Sequence, residues 1–309
     1  MIDKSRLDLD SNQRFVQFEL WKDCHNNCSF CFNKGLIDCN KQWSLKDCLA
    51  RLDNPDLLLF NEIGFIGGEF FAHQIDDVKE LFYALFDKVL AMPFNRVLVT
   101  TSLIYNPQCL FEFLDYIKHK HALSRLLLCT SYDTIGRFHN SASLALWKAN
   151  VLTLHDLYPQ LKIHVEQIVT NDFCERVLDG RFDIQKFEST FNVRVDYLEP
   201  NTGGFYKSKE EFEQAVPNFL LRRETFIRWL HYVFSKKLVN LQDLFNRKLR
   251  SDLIYLTQGN ERIEICGRHK GTKDDLLYFD KIGHVPQFGY VDSTVKLWDD
   301  VLVAKELFL

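Results

Sequence analysis

Cys24, Cys28 and Cys31 stand in the run Asp23-Cys24-His25-Asn26-Asn27-Cys28-Ser29-Phe30-Cys31-Phe32-Asn33, a C-x3-C-x2-C loop that can turn three thiolates toward one metal centre. A structural zinc site or a closed iron-sulfur site takes four protein ligands. Three ligands leave one metal corner open, and an open corner is where a small molecule binds and reacts. The loop therefore reads as a reactive centre. The competing reading is a zinc staple completed by Cys39, His25 or a more distant residue; taken alone, His25 reads as a solvated loop residue.

A second segment, Glu62-Ile63-Gly64-Phe65-Ile66-Gly67-Gly68-Glu69-Phe70, is an apolar strand that ends in Gly-Gly-Glu. Two glycines allow a tight turn and close backbone approach, and the carboxylate offers a charge partner for an ammonium group. Further polar residues fall near other strand ends. Ser131 and Asp133 close a fourth strand, and Arg137 follows in Thr134-Ile135-Gly136-Arg137-Phe138. Thr100 and Ser102 stand at the end of a third strand, Glu166, Gln167 and Asn171 near a fifth, and Leu198 at a sixth. For Thr100, Ser102, Glu166, Gln167 and Asn171, core or surface roles compete with a cavity role.

With aromatic Phe30 directly before its last cysteine, the loop resembles the cluster loop of the radical S-adenosylmethionine (radical SAM) enzymes. Gly67-Gly68-Glu69, one strand-helix unit later, is similar to the segment that takes the cosubstrate's amino group in that family. The resemblance spans about the first two-thirds of the chain. It implies a [4Fe-4S] cluster on Cys24, Cys28 and Cys31, with S-adenosylmethionine on the open iron and reductive cleavage to a 5'-deoxyadenosyl radical that abstracts hydrogen from a substrate. It also implies Phe30 near the adenine, Glu69 with Gly67 and Gly68 at the ammonium, Ser131 and Asp133 toward the ribose, and backbone at Leu198 toward the adenine. Arg137, by its place on a strand-end loop, reads as a contact to a carboxylate or the substrate, with a surface role as the competing reading. A flavodoxin or ferredoxin would supply the electron. Two other functions compete: an activase that installs a glycyl radical on a partner enzyme, and a non-catalytic zinc-binding module.

Such residues need a scaffold, and the pattern along the chain supplies one. Strand-like runs at Phe15 to Leu20, Ile63 to Ile66, Arg96 to Thr101, Arg125 to Ser131, Lys162 to Thr170 and Val193 to Leu198 alternate with helical patterns. The clearest helix is Ile75 to Ala91, with Val78, Leu81, Phe82, Leu85, Phe86 and Val89 on one face. Ser44 with Asp47 marks another helix start, continued by Leu45, Leu49 and Leu52. This is the signature of α/β folds with a parallel sheet, which carry their chemistry at the C-terminal strand ends. The expected fold is a partial (β/α)6 barrel of the radical SAM type over residues 1–204. After Glu199-Pro200-Asn201-Thr202-Gly203-Gly204 the pattern breaks, and residues 205–309 read as a C-terminal α+β extension, helical to about Leu249 and then short strands. Beyond Cys174 only Cys266 follows. One thiolate cannot hold a second cluster, so no auxiliary cluster is expected there.

Composition sets the remaining bounds. The chain has 309 residues, 46% hydrophobic and 26% charged, with a formal net charge of -4, which does not mark the whole molecule as a nucleic-acid binder. Its apolar runs, such as Leu126-Leu127-Leu128-Cys129, are too short for a bilayer, and Met1-Ile2-Asp3-Lys4-Ser5-Arg6 lacks a signal core. Nine cysteines without paired spacing indicate reduced thiols and a cytoplasmic location. Between Arg222 and Arg250, eight basic residues stand against two acidic ones (8 - 2 = +6). That imbalance suggests an acidic substrate or partner, with a solvated helix face as the competing reading.

Overall fold

The computed structural model describes residues 15–21, 24–31, 49–50, 52–72, 75–198, 206, 208–238, 253–256 and 263–266. Six strands, β1 (Phe15–Trp21), β2 (Glu62–Gly67), β3 (Arg96–Thr100), β4 (Leu126–Ser131), β5 (Lys162–Ile168) and β6 (Arg194–Leu198), pair in parallel between consecutive neighbours. Parallel neighbours need crossovers. Helices α1 (Ile75–Ala91), α2 (Gln108–His119), α3 (Ser141–Leu157), α4 (Asn171–Leu178) and α5 (Ile184–Phe191) supply them between β2 and β6. The expected strands are present to within a residue or two at their ends, and α1 has the expected bounds.

Alternation along the strands separates two faces. Val97 and Val99 of β3 and Leu126 and Leu128 of β4 enter the main core under the helices. Their neighbours Leu98, Leu127 and Cys129 form a separate small cluster on the other face. The helix-covered side is rich in aromatics, with Phe70 stacked on Phe82 at 4.4 Å between ring centroids and Phe82 and Phe86 packed on Phe113. Arg125 ties the start of β4 to the end of α1 by donating to the carbonyls of Leu90, Met92 and Phe94.

The region after residue 204 joins this body. Helix α6 (Lys209–Ala215) and helix α7 (Arg223–Ser235) lie within the stretch that the sequence reads as helical, whose residues 239–249 fall outside the described ones. They are separated at Pro217, whose ring lacks the donor a continuing helix needs, and Asn218, which takes a positive φ of 63°. Leu221, Phe226, Trp229, Leu230, Val233 and Phe234 belong to the main core. Strand β7 (Leu253–Leu256), which the periodicity does not single out, pairs in parallel with β1, and β8 (Ile263–Cys266) pairs antiparallel with β7. The sheet order is β6-β5-β4-β3-β2-β1-β7-β8, and among the described residues no strand pairs with the outer edge of β6 or of β8. The helix start at Ser44 and Asp47, Cys39, Cys48, and the break at 199–204 lie outside the described residues; Leu52 is buried in a turn rather than in a helix. No helix among the described residues is long and apolar enough to cross a membrane.

Candidate functional site

The cysteine loop follows β1 directly, at the C-terminal edge of the sheet, where crossover loops gather side chains from several strands. It is fastened from both sides. Near its first cysteine, the His25 imidazole donates from Nε2 to the Ile104 carbonyl at 3.0 Å and meets the Tyr105 ring edge-on at 6.3 Å. Further along, Ser29 N–H donates to the Gly136 carbonyl at 2.8 Å, His139 donates to the Asn26 carbonyl at 2.5 Å, and the Tyr206 hydroxyl donates to the Ser29 carbonyl at 2.8 Å. Asn27 takes a positive φ of 46°, and Cys31 N–H closes a turn on the Cys28 carbonyl at 3.1 Å.

Phe30 is buried beneath this fastening. Its ring stacks on Phe219 at 5.1 Å, and the Arg137 guanidinium lies 5.3 Å from its centroid. Gly136 has φ +76°, and a Cβ there would come within 2.9 Å of the Phe30 ring. Only glycine accommodates both the conformation and the approach.

Glu69 is 1% exposed, just past the end of β2, where Gly67 adopts φ 136°. Its carboxylate accepts from Phe71 N–H at 3.2 Å, Ser102 N–H at 2.5 Å and the Thr101 hydroxyl at 2.9 Å. Tyr105 in turn donates to Thr101 at 2.5 Å, since the single Thr101 proton is already committed to Glu69. Burial pushes the Glu69 carboxyl up from its ordinary value, and the bonds from Ser102, Thr101 and Phe71 pull it back. No described lysine, arginine or histidine forms a salt bridge with it. The turn that presents these donors is held by buried Asn150, whose amide donates to the carbonyls of Leu103 and Tyr105 at 3.0 and 2.9 Å.

The cysteine loop and the Glu69 turn lie close enough to feel each other. Burial pushes the Cys24 thiol up to about 11, and after the opposing bond at Asn26 the charges of Glu69, Cys28 and Cys31 add to that shift. Ligands of a single ion must meet at one point, whereas the thiolates of a cluster each hold a different iron. Among the described residues no three His, Cys, Asp or Glu side chains gather around one point for a single ion. In residue type, three thiols on one short loop, with Cys24 in electrostatic reach of Cys28 and Cys31, fit an iron-sulfur cluster.

At the end of β4, Asp133 is buried and bonded on both oxygens, to Arg137 Nε at 2.9 Å and to Gln167 Nε2 and Ile168 N–H at 3.2 and 3.1 Å. Ser131 is buried beside it in register with Glu166. Leu198 ends β6, and its carbonyl accepts from Val169 N–H at 2.9 Å. Asn171 braces Asn218, Glu175 and Arg222 N–H, a structural role. The structure thus brings Cys24 and Glu69 into one neighbourhood, and Phe30, Asp133 and Arg137 into another that shares the cysteine loop. Thr101 rather than Thr100 reaches Glu69: β3 ends at Thr100, and beyond it the chain turns through Leu103 at φ 57°, so strand alternation no longer applies. His139, Asn150, Tyr206 and Phe219 carry no local signal, because each acts across a long stretch of sequence, and Tyr105 carries none because its bond to Thr101, four residues away, is made by the turn after β3. The basic run does not form one patch among the described residues. Arg222 and Arg223 start α7 and Lys236 and Lys237 follow its end, about 20 Å away at 1.5 Å per residue; Arg247, Lys248 and Arg250 lie outside the described residues.

The architecture has solved counterparts. A histidine-tagged anSMEcpe with bound AdoMet is similar at a TM-score of 0.52 and 14% identity, over 76% of this chain and 62% of that one. Native anSMEcpe with bound AdoMet and Kp18Cys peptide is similar at 0.52 and 12% identity, with the same shares covered. The chain spans less than two thirds of the length of these structures. No protein-family model and no curated protein matches it. The likeness shows the fold, the open parallel partial barrel of the radical SAM type.

Proposed function

We propose that the chain is a radical SAM enzyme, holding a [4Fe-4S] cluster on Cys24, Cys28 and Cys31 and S-adenosylmethionine beside it. The observation that carries this reading is the pairing of the three-cysteine loop with a fully buried carboxylate, Glu69, that has hydrogen-bond donors but no described cation and lies within electrostatic reach of Cys24. A buried carboxylate in that state is completed by an ammonium group. The fold shared with anSMEcpe, a radical SAM enzyme, supports the same reading. When bound, the cluster supplies the electron that splits the cosubstrate's sulfonium bond.

The chain's own residues do the placing. Glu69, set by Ser102, Thr101 and Phe71, takes the ammonium; the Gly67-Gly68 turn lets the backbone approach. Arg137, anchored through Nε to Asp133, keeps the ends of its fork for a carboxylate. Ser131 and Asp133 stand toward the ribose, and Phe30 and the backbone at Leu198 toward the adenine. A flavodoxin or ferredoxin in the cytoplasm delivers the electron, and the substrate enters over the C-terminal strand ends. An acidic substrate would be drawn by the basic residues beyond Arg222.

Anaerobic reconstitution should give about four irons and four sulfides per chain, and reduction in the presence of S-adenosylmethionine should release 5'-deoxyadenosine. Zinc in place of iron and sulfide, or equal iron uptake by the Cys24, Cys28, Cys31 triple alanine variant, would overturn the reading. Peptides are the first substrate class to assay, because one structure of similar fold holds both AdoMet and a peptide.

A further inference from the structure

The β4–α3 loop covers the cysteine loop with a cation. The Arg137 side chain is only 14% exposed, and two contacts fix it, the 2.9 Å bond from Nε to Asp133 and the Phe30 ring with its centroid 5.3 Å away; the adjoining Gly136 carbonyl, accepting from Ser29 N–H, pins the loop backbone to the cysteine loop. Phe30 lies between Cys28 and Cys31 in sequence, so the guanidinium sits over the stretch that carries two of the three thiols. Burial works against the guanidinium charge, yet the charges of Cys28, Asp133 and Cys31 outweigh it and hold Arg137 above its ordinary value. Asp133 is itself kept in place from the opposite direction by Gln167 and Ile168.

We infer that Arg137 is the counter-cation of the centre held by Cys24, Cys28 and Cys31, and that its fixed charge makes that centre easier to reduce. The inference rests on the cluster reading of the loop. A cluster on three thiolates is anionic, and each electron it accepts adds to that charge; in a poorly solvated site a neighbouring cation favours the reduced form. Asp133 acts through Arg137 in two opposing ways, fixing its position and offsetting part of its charge. Arg137 is thus a positioning and charge-compensating residue for the cluster, a role separate from any contact its fork makes with cosubstrate.

The test is the midpoint potential of the reconstituted full chain without cosubstrate, followed by electron paramagnetic resonance during titration with dithionite. Iron and sulfide per chain and the thermal unfolding midpoint are measured for each protein. Arg137→Gln should hold its iron and be about tenfold harder to reduce at a given potential, a lowering of about 59 mV for one electron, while Arg137→Lys stays near the wild type. Asp133→Asn removes the opposing charge and, with its amide oxygen still accepting from Arg137 Nε, keeps the anchor, so it should shift the potential upward. If Arg137→Gln loses its iron, the Asp133→Asn result decides: a rise supports the inference, and no change or a fall overturns it. Wild-type potential in an Arg137→Gln protein with full iron also overturns it. A wild type that takes up no iron and sulfide overturns the cluster reading itself, so the two failures are distinct.

Discussion

Glu69 has two jobs that a substitution can separate. It accepts from three donors that belong to the fold, and its remaining charge has no described cation to meet it. Glu69→Gln keeps the shape but removes the charge and turns one acceptor oxygen into an NH2 group facing Ser102 or Phe71 N–H, so stability should fall by about 1–3 kcal/mol while S-adenosylmethionine affinity falls at least tenfold. Glu69→Ala strands the buried Ser102 and Phe71 donors as well, at about 1–3 kcal/mol for each. Chemical denaturation and equilibrium binding to the iron-loaded protein read the two effects; equal affinity in wild type and Glu69→Gln would remove Gly67-Gly68-Glu69 from the site. The residues that could do chemistry were legible because cysteine spacing and a Gly-Gly-Glu turn are local patterns. Tyr105, Thr101 and Asn150, which set the carboxylate's environment, were not: their contacts reach over 32 to 47 residues or depend on a turn that alternation cannot describe.

Among elements, the β4–α3 loop does more than connect. Asn140 caps α3 by accepting from Ser143 N–H at 2.8 Å, which fixes where the helix begins and leaves residues 132–139 as a short bridge that must lie against the cysteine loop. Gly136 and Gly180 make a matched pair for measuring that contact. Both have φ near +76°, but a Cβ at Gly136 would meet Phe30 at 2.9 Å whereas nothing lies within 4 Å of one at Gly180. Gly180→Ala should cost only the conformational strain, about 1–2 kcal/mol, and leave iron uptake intact. Gly136→Ala carries the same strain plus the clash with Phe30, and should lower both the unfolding midpoint and the iron retained after gel filtration. Equal losses in the two variants would show that the loop merely passes by. The strands and α1 were readable because apolar periodicity fixes a buried strand or an amphipathic helix wherever one face meets the core. The pairing of β7 with β1 was not readable, since a four-residue strand carries too little pattern to announce a neighbour so far upstream.

For the molecule as a whole, the question is whether the region after residue 204 is an accessory or part of the scaffold. Its side chains answer through two contacts. Trp229 is fully buried and packs edge-on against Phe173 and Tyr197, at 6.0 and 5.5 Å between centroids, joining α7 to α4 and β6. Phe219 lies against Phe30, and the Asn171 amide oxygen and the Phe219 carbonyl bind Arg222 N–H and Asn171 N–H, which ties that covering segment to the start of α4. The extension thus closes both the core beneath β5 and β6 and the apolar underside of the cysteine loop. Trp229→Ala should cost about 3–5 kcal/mol, whereas Trp229→Phe, which also removes a buried indole N–H with no described partner, should stay within about 1 kcal/mol of wild type. A chain ended at residue 204 loses both contacts. It should unfold without a sharp transition and fail to keep iron, because Phe30 and the apolar surfaces of Phe173 and Tyr197 would face water. Urea denaturation followed by tryptophan-independent circular dichroism, with iron analysis on the same samples, checks this. A shortened chain that unfolds cooperatively and retains the wild-type iron content would make the barrel self-sufficient and reduce residues 205–309 to an appendage.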